Sequence, residues 1–500
     1  MAWWHLSKDA AVDADTVSPS NDVDATAPVA EAWHRLRASV VHYRGEPVGT
    51  LAARDPEVAA LNYDQVFTRD FAVSAFAFLM RGEVEIVRHF LEAAVELQAV
   101  APHMACFKPG KGLMPASFKV VGGNGESTDE RLEADFGEHA IARVAPVDSG
   151  MWWLILLRGY VRASGDHALA ASPPFQRAIR LILDLALTAR FDMFPTLLVP
   201  DGSFMIDRRM GVYGHPLDIQ TLFFTALRSA RELLDPHDDD GYRTAVTERL
   251  GHLLFHLRNH YWLDLARVNE IYRSRVEEYG ADAANPFNIY PETIPSWLPA
   301  WLPDGGGYFA GNLGPGRIDY RCFLQGNLWA VISSLASESQ AQAVMNLIES
   351  RWDDLVGEMP IKACFPALEG EAWRTVTGSD PKNVAWSYHN GGSWPFLLWL
   401  VAAAARKCGR PELARRALDV AGPRLAADGW PEYYDGRHGR LVGKEARRFQ
   451  TWSIAGYLVA TELVAHPEHL RLIAFDEEPE VAACANDAAK MMAQAMGEGR

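Results

Sequence analysis

Residues 201–222 read DGSFMIDRRMGVYGHPLDIQTL, a polar loop that runs into an apolar helix. Three glycines and Pro216 exclude a regular element from its first half, because each permits or fixes an unusual φ angle. The apolar residues 204–206 do not suit a solvated linker, so we expect a partly buried loop that holds the Asp-Arg-Arg run 207–209 in a region of low dielectric constant. Active-site loops are built this way. The alternative is a helix-capping turn whose Asp–Arg pairs are only structural.

The same junction of a polar, aromatic loop with an apolar helix recurs along the chain. It is found in residues 61–81, 145–160, 321–335, 388–405 and 449–464, and amphipathic segments such as 411–420 lie between these stretches. This recurrence predicts helical hairpins arranged in a ring, with the apolar helices inside and their N-terminal loops converging at one end. The sequence has no βαβ alternation, so the predicted fold class is all-α. Residues 270–316, rich in Pro, Gly and aromatics, are expected to form a covering excursion with short strands.

Nothing in the middle of the chain has the composition of a linker. The 500 residues are therefore expected to form one large domain, since single helical rings reach this length. Residues 1–29 are rich in Ala, Asp, Ser and Thr and poor in large apolar groups, which predicts a disordered N-terminal tail. The domain is expected over residues 30–475. Residues 476–500, rich in Ala, Glu and Met, are expected to form a frayed or helical C-terminal tail.

Charge and aromatic content narrow the class of ligand. The net charge is −16 and no cluster of Lys and Arg is present, which argues against nucleic acids and other polyanions. Many of the sixteen tryptophans stand beside Gly, Asp or Asn. Flat aromatic surfaces next to polar groups suit sugar rings, which present an apolar face and a polar rim.

The cysteines, the N-terminal residues and the apolar runs indicate the cellular compartment. Five widely spread cysteines without a CxxC pair indicate neither a disulfide framework nor a zinc site. The N-terminal residues lack the basic and apolar regions of a secretory signal, and they are acidic where a transit peptide is Arg-rich. The apolar runs are too short for a membrane span of about 20 residues. The simplest interpretation is a cytoplasmic protein with no metal, no cofactor and no membrane partner.

Glycoside hydrolysis with inversion requires one carboxyl group that donates a proton and one carboxylate that activates water, about 6.5–9.5 Å apart. Glu432 lies in WPEYYDG, where aromatic neighbours would bury it and raise its pKa, which leaves either acid or base duty open. A solvent-facing turn glutamate is the alternative. In a helical ring both groups would come from loops at the same end, so the candidates are Asp70, Asp148, Asp201, Asp207, Asp218 and Glu432.

The other candidates also have structural interpretations. Arg208 and Arg209 follow Asp207 directly, and a nearby cation favours the charged form of a carboxyl group, which is wrong for a general acid. The spacing of His and Glu residues does not resemble a metal site. The structural alternatives are a helix N-cap for Asp148, a turn for Asp201, an ion pair with Arg69 for Asp70, and turn histidines for His215 and His389.

The loops resemble those of the alkaline/neutral invertases, glycoside hydrolase family 100. The resemblance implies an (α/α)6 barrel, hydrolysis of sucrose with inversion at glucose, no metal or cofactor, and a homo-oligomer. It rests on motifs in one order over residues 61–463: NYDQVFTRDF, ARVAPVDSGMWW, DGSFMIDRRMGVYGHPLDIQ, NPFNIYPETIPSWL, GNLGPGRIDYRCFLQGNLW, TGSDPKNVAWSYHNGGSWP and WPEYYDG followed by QTWSIAGYL.

The resemblance also implies roles for single residues. Asp207 in MIDRRMG is similar to the family's general acid, and Glu432 in WPEYYDG to its general base. Arg208, beside the acid, is a further substrate-binding candidate. The residues that resemble glucose- and fructose-binding groups are Tyr63, Arg69, Asp70, Asp148, His215, His389, Arg447 and Gln450.

Other functions stay open at this point. Another α-glucoside or a phosphorylated sucrose is an alternative substrate, because the Arg-Arg pairs 208–209 and 447–448 could bind phosphate. A sugar epimerase on a similar helical ring would use paired histidines, for which the chain offers His215 and His389, but it gives no role to Glu432. A non-catalytic sugar sensor would not need both carboxylates.

Overall fold

The structure is a computed structural model. It describes residues 27–55, 63–100, 110–122, 129–139, 144–187, 195–237, 240–274, 285, 289–314, 317–442 and 446–497. Most of the predicted N-terminal tail thus lies outside the described residues. Its last three residues, 27–29, belong to the first helix, in which Val29 is buried.

Eighteen α-helices lie within the described residues, and twelve of them alternate between an inner and an outer layer. The inner helices are α2 (Thr68–Met80), α4 (Ser149–Ser164), α7 (Leu217–Leu233), α11 (Leu324–Ile332), α15 (Leu398–Lys407) and α17 (Thr451–Ala465). The outer helices are α1 (Ala27–Ala38), α3 (Glu85–Leu97), α6 (Pro173–Ala186), α8 (Tyr242–His256), α12 (Glu338–Ser350) and α16 (Pro411–Ala427). The others are α5 (His167–Ala171), α9 (Leu265–Arg273), α10 (Trp297–Trp301), α13 (Trp352–Leu355), α14 (Gly370–Thr377) and α18 (Pro479–Gly497).

The six inner helices form a closed ring. Each contacts the next inner helix along the chain, and α17 contacts α2, so the last helix of the ring is a neighbour of the first. Side chains are buried on every side of α2, α11 and α15, as expected for helices that are apolar all round. The prediction of an all-α (α/α)6 barrel built from helical hairpins is confirmed. None of the described helices has the length and apolar character needed to cross a membrane.

The outer helices have one apolar face each. In α6, Phe175, Ile179 and Ile182 recur at helical spacing and are buried, whereas Arg177 and Asp184 are exposed. Five outer helices pack beside inner helices, and α6 reaches α4 through the ring contact of Phe175 with Trp153. The outer helices return the chain, so the loops before the inner helices lie at the same end of the barrel.

Eleven short strands within the described residues form small antiparallel sheets in the loops. The pairings are β1 with β2, β3 with β4 and β5, β6 with β7, β8 with β9, and β10 with β11. The excursion predicted over 270–316 contains two of the strands, and part of it lies outside the described residues. The strands are β1 (Val40–Tyr43), β2 (Glu46–Thr50), β3 (Val66–Phe67), β4 (Ser117–Val121), β5 (Arg131–Asp135), β6 (Trp262–Asp264), β7 (Gly307–Phe309), β8 (Asn312–Gly314), β9 (Arg317–Asp319), β10 (Cys322–Phe323) and β11 (Cys364–Phe365).

The C-terminal tail contains helix α18, which packs against α8. Gly251 of α8 allows the close approach, because a Cβ atom at this position would lie 2.5 Å from the Cβ atom of Cys484. Just before α18, Glu478 pairs with Arg228 and Arg231 of α7. Apolar packing and ion pairs together dock this helical tail on the barrel.

Candidate active site

A cavity of about 880 Å³ opens where the loops before the inner helices converge. Its walls come from the loops before α2, α7, α15 and α17 and from the start of α4. The volume is within the range of small-molecule sites. Nine of the eleven site residues predicted from the sequence line it: Tyr63, Arg69, Asp70, Asp207, Arg208, His389, Glu432, Arg447 and Gln450.

Asp207 is held by a loop that is fixed on both sides of it. One carboxylate oxygen of Asp201 accepts hydrogen bonds from the backbone N–H groups of Met210 and Gly211, at 3.0 and 2.7 Å. The apolar residues 204–206 are at most 3 % exposed and anchor the preceding segment in the core. The side chain of Asp207 remains 33 % exposed and lines the cavity. The loop is therefore partly buried, as expected.

The two arginines that follow Asp207 bind other partners. Nη1 of Arg208 donates to both carboxylate oxygens of Asp380, at 3.0 Å each. Nη2 of Arg209 donates to the backbone carbonyl of Thr375 at 3.2 Å. Both guanidinium groups thus make their hydrogen bonds to groups other than the Asp207 carboxyl group, which weakens the objection to Asp207 as a general acid.

Asp207 is contacted by His389 and Tyr388 from the loop before α15. Nε2 of His389 lies 3.0 Å from Oδ1 of Asp207, and the Tyr388 hydroxyl donates to the same oxygen at 3.4 Å. The His389 ring is buried and stacks on Trp394 with a centroid distance of 4.9 Å. Burial lowers the pKa of His389, so a neutral imidazole donates its Nε2–H to the carboxylate. Tyr388 has a φ of 47°, a left-handed conformation that is rare for non-glycine residues and typical of functional sites.

Glu432 is buried among aromatic side chains, with 3 % exposure. Trp430 and Tyr433 beside it are fully buried, and its backbone N–H donates to the carbonyl of Arg447 at 2.7 Å. The hydroxyl of Tyr63 donates to Oε1 of Glu432 at 3.1 Å, whereas Oε2 has no hydrogen-bond donor among the described residues. The alternative of a solvent-facing turn glutamate is excluded.

A lysine lies beside Glu432 and against an aromatic ring of the cavity wall. Nζ of Lys382 is 3.6 Å from Oε2 of Glu432 and 3.9 Å from the centre of the Tyr388 ring. Its side chain is only 15 % exposed and lines the cavity. The ammonium group is therefore part of the site.

Arg69 and Asp148 form a buried ion pair in the wall of the cavity. Nε and Nη2 of Arg69 donate to the two carboxylate oxygens of Asp148, at 2.6 and 3.0 Å. The indole N–H of Trp152 donates to Asp148 at 3.3 Å. Asp148 occupies the N-cap position of α4 but its side chain makes no capping hydrogen bond. Asp148 does not itself line the cavity, and it orients Arg69, which does.

The surroundings shift the pKa values of the carboxyl groups in different directions. Burial raises the pKa of Glu432, although the charge of Lys382 opposes the rise. Burial also acts to raise the pKa of Asp207, but the hydrogen bond from His389 and the charges of Arg69 and Lys382 outweigh it and lower this pKa. Burial raises the pKa of Asp70 to about 7. In the unliganded protein, a proton resides more readily on Glu432 or Asp70 than on Asp207.

Comparison with known proteins identifies the family. A family model described as alkaline and neutral invertase matches residues 32–467. The chain belongs to the alkaline and neutral invertase family. Cytosolic invertase 1 of Oryza sativa subsp. japonica is 56 % identical over 453 residues, which cover 90 % of this chain and 80 % of the relative. Alkaline/neutral invertase C, mitochondrial, of Arabidopsis thaliana is 57 % identical over 454 residues, which cover 90 % of this chain and 68 % of the relative. The chain is accordingly a glycoside hydrolase, as predicted.

Solved structures share the barrel of this invertase-family chain at low sequence identity. A bacterial glucoamylase complexed with acarbose has a TM-score of 0.52 at 13 % identity, covering 91 % of this chain and 57 % of that one. A GH63 mannosylglycerate hydrolase from Thermus thermophilus, in complex with glucose, has a TM-score of 0.52 at 12 % identity, covering 87 % of this chain and 99 % of that one. At this identity the likeness concerns the fold alone.

His215, which the invertase resemblance implied as a substrate contact, is not among the residues that line the cavity. Its Nδ1 lies 2.9 Å from the hydroxyl of Thr196, and its backbone carbonyl accepts a hydrogen bond from Tyr261 at 2.7 Å. The structure therefore gives His215 a structural position between the loop and α7. Because His389 lines the cavity and His215 does not, the pair of histidines considered for an epimerase is not brought together there.

Two further acids considered for the invertase-family site are structural as well. Asp201 caps backbone N–H groups of the Asp207 loop. Asp218, in the first turn of α7, is 4 % exposed and accepts a hydrogen bond from the backbone N–H of Gly326 at 2.8 Å. Neither residue is among those that line the cavity.

Lys382, Tyr388 and Trp394 line the cavity, although the sequence analysis did not single them out as site residues. All three lie in TGSDPKNVAWSYHNGGSWP, one of the motifs that carry the invertase resemblance. A lysine within a loop rich in aromatic and polar residues was the available signal. The sequence could not show that this loop folds against Glu432.

Proposed function

We propose that this protein hydrolyses sucrose to glucose and fructose with inversion at the glucose anomeric carbon. Asp207 acts as the general acid and gives its proton to the departing fructose oxygen. Glu432 acts as the general base and takes a proton from the attacking water. The bond from C1 to the fructose oxygen breaks as the bond from the water oxygen to C1 forms. The names of the relatives, which are invertases, support the choice of substrate.

The observation that carries this proposal is that each carboxyl group has one oxygen held by the protein and one available. Oδ1 of Asp207 accepts from His389, and Oε1 of Glu432 accepts from Tyr63. Among the described residues, both hydrogen bonds to Asp207 end on Oδ1, and Oε2 of Glu432 has no hydrogen-bond donor. Both groups line one cavity. A group that must give or take a proton needs such an oriented, unoccupied oxygen.

The pKa shifts in the unliganded protein run opposite to these roles, and we expect the substrate to change them. The side chain of Asp207 is 33 % exposed, so a sugar that displaces water from the cavity would bury it further and raise its pKa. The side chain of Glu432 is only 4 % exposed, so its solvation would change little. Since the two groups interact, their titration belongs to the pair.

The remaining lining residues suit the hydroxyl groups of a sugar. Gln450 is buried, and its amide oxygen has no partner among the described residues. The guanidinium group of Arg447 lies 5.0 Å from the centre of the Tyr63 ring, and Arg69 is oriented by its ion pair. Charged and amide groups of this kind bind sugar hydroxyls by strong hydrogen bonds. We assign these residues, together with Asp70 and Arg208, to substrate binding.

The roles of the two carboxyl groups can be separated with α-glucosyl fluoride. Fluoride leaves without being protonated, so this substrate needs a base but no acid. Asp207→Asn is expected to lose about 10²-fold or more in kcat on sucrose while retaining most of its activity on α-glucosyl fluoride. Glu432→Gln is expected to lose activity on both. If Asp70→Asn shows the selective loss instead of Asp207→Asn, the acid is Asp70. Wild-type protein without activity on sucrose would overturn the choice of substrate.

A phosphorylated sucrose is the second candidate substrate. Arg447 favours it, because this cation lines the cavity and has no carboxylate partner among the described residues. Arg208 argues against it, because Asp380 already binds its guanidinium group. Rates on sucrose and on sucrose 6-phosphate, compared for wild type and Arg447→Ala, decide between the two. Faster cleavage of the phosphate ester that depends on Arg447 would favour the second candidate.

We also propose a cytoplasmic, homo-oligomeric enzyme. The name of the cytosolic relative supports the compartment, while other relatives are named mitochondrial or chloroplastic. The resemblance to the family supports the oligomer. Cell fractionation tests the first proposal, and light scattering of the purified protein tests the second.

A further inference from the structure

We propose that Lys382 is a positioning residue that keeps Glu432 ionised, so that Glu432 can act as the general base. This inference rests on the proposed function and deepens it. Nζ of Lys382 lies 3.6 Å from Oε2 of Glu432, and this is the only ion pair that Glu432 makes among the described residues. The contact joins the loop before α15 to the segment that carries WPEYYDG.

The distance between Lys382 and Glu432 shows that Lys382 acts on Glu432 through its charge and not through a hydrogen bond. Donor–acceptor distances in N–H···O hydrogen bonds are about 2.7–3.2 Å, so Lys382 does not make a direct hydrogen bond to Glu432 at 3.6 Å. The attraction between opposite charges falls off only slowly with distance, so the ammonium still stabilises the carboxylate. Oε2 thereby keeps a lone pair for the proton of the attacking water.

Two tyrosines hold the ammonium group in this position. Nζ of Lys382 lies 3.9 Å from the ring centre of Tyr388 and 5.7 Å from that of Tyr433. A cation over an aromatic face is attracted by the ring quadrupole. With 15 % exposure, the side chain of Lys382 is built into the wall of the cavity.

The other groups around Glu432 do not replace this cation. Asp70 and Asp207 carry acidic groups, and ionisation of either disfavours a charge on Glu432. Tyr63 stays neutral, because burial raises its pKa well above its usual value. The guanidinium group of Arg447 lies against the ring of Tyr63, and no ion pair between it and Glu432 is formed. Lys382 is therefore the cation that opposes the effect of burial on Glu432.

The test is the pH dependence of kcat/KM on sucrose for wild type, Lys382→Met, Lys382→Gln and Lys382→Arg. Because a proton resides more readily on Glu432 than on Asp207 in the free enzyme, the basic limb of this profile reports the titration of Glu432. In the two neutral variants we expect this limb to move to higher pH by roughly one unit or more, the effect of losing an opposite charge within about 4–6 Å. Lys382→Arg keeps the charge, so its limb should stay near the wild-type position even if kcat falls.

Lys119→Met is the matched control. Lys119 also lines the cavity but pairs with Glu133, so removing its charge should leave the basic limb in place. The inference is overturned if Lys382→Met and Lys382→Gln keep the wild-type limb and only raise KM, because Lys382 would then contact substrate alone. If Lys382→Met does not fold, Lys382→Gln carries the test. Failure of wild type to cleave sucrose would instead concern the proposed function.

Discussion

Nε2 of His389 lies 3.0 Å from Oδ1 of Asp207 and joins two loops that are 182 residues apart in the chain. The contact leaves the second oxygen of Asp207 to the cavity. It also favours the ionised form of Asp207, because a donor stabilises a carboxylate more than a neutral carboxyl group. His389 thus both orients the proposed acid and adjusts its protonation.

His389→Phe should remove the hydrogen bond to Asp207 and keep the stacking, because phenylalanine retains a flat ring against Trp394. Without the Nε2–H donor, no hydrogen bond from residue 389 opposes the effect of burial, so the pKa of Asp207 rises. Because Asp207 has the lower pKa of the pair in the free enzyme, we expect the acidic limb of kcat/KM on sucrose to move to higher pH, and kcat to fall at least about tenfold through lost orientation. A pH–rate series measures both, and an unchanged acidic limb would argue against Asp207 as the acid.

The pH profiles of kcat and kcat/KM should differ for the wild-type enzyme. The profile of kcat/KM reports the free enzyme and that of kcat reports the substrate complex. Because a bound sugar is expected to bury Asp207 further and raise its pKa, the acidic limb of kcat should lie at higher pH than that of kcat/KM. Steady-state kinetics over a range of pH tests this. Coincident acidic limbs would mean that the substrate does not change the protonation of Asp207.

The Arg69–Asp148 pair should matter for stability as well as for binding. The side chain of Asp148 is only 2 % exposed, so removing either partner leaves a buried charge without its counterion. Loss of one partner of a buried pair costs roughly 3–5 kcal/mol. We expect Asp148→Asn and Arg69→Met each to lower the urea midpoint, and the double variant to lose less than the sum of the two. Additive losses would show that the pair is not coupled.

Asp218 should make the stability of the barrel depend on pH. Burial raises its pKa to about 7, above the value of about 3.9 expected in the unfolded chain. The folded state therefore retains a proton that the unfolded state loses. The stabilisation is fully present below about pH 4 and is lost as the pH rises through about 7. Asp218→Asn keeps an oxygen for the N–H of Gly326 and does not ionise.

Thermal unfolding of Asp218→Asn and wild type at about pH 4.5 and about pH 8 measures this effect. We expect similar Tm values at low pH and a higher Tm for the variant at high pH, by an amount that corresponds to about 2–4 kcal/mol. An equal difference at both pH values would mean that Asp218 does not titrate in this range.

Much of the barrel was predictable because its inner helices are apolar all round and each follows a loop of unusual composition. Few folds can bury a helix that is apolar on every side, such as those in residues 61–81 and 388–405. A ring of helical hairpins is one of these folds. The position of Asp207 in a partly buried loop was predictable for the same reason, since the apolar residues 204–206 could not lie in solvent.

Contacts between distant segments were less predictable. Asp148 fits a helix N-cap in sequence, but its carboxylate binds Arg69 because α2 and α4 are neighbours in the ring. His215 stands in a motif with many site features, yet its ring packs against Thr196. Lys382 was not predicted as a site residue, because its partner Glu432 lies in a distant segment of the chain. These differences arise from packing across the barrel, which local patterns do not report.

The central claim is that water attacks the anomeric carbon of glucose directly, with Asp207 and Glu432 as acid and base. The most direct measurement is a proton NMR time course of the purified protein with sucrose, which follows the glucose anomeric signals before mutarotation mixes them. The account predicts that β-glucose appears first. Early α-glucose would contradict it, because that outcome requires a covalent intermediate and a different nucleophile.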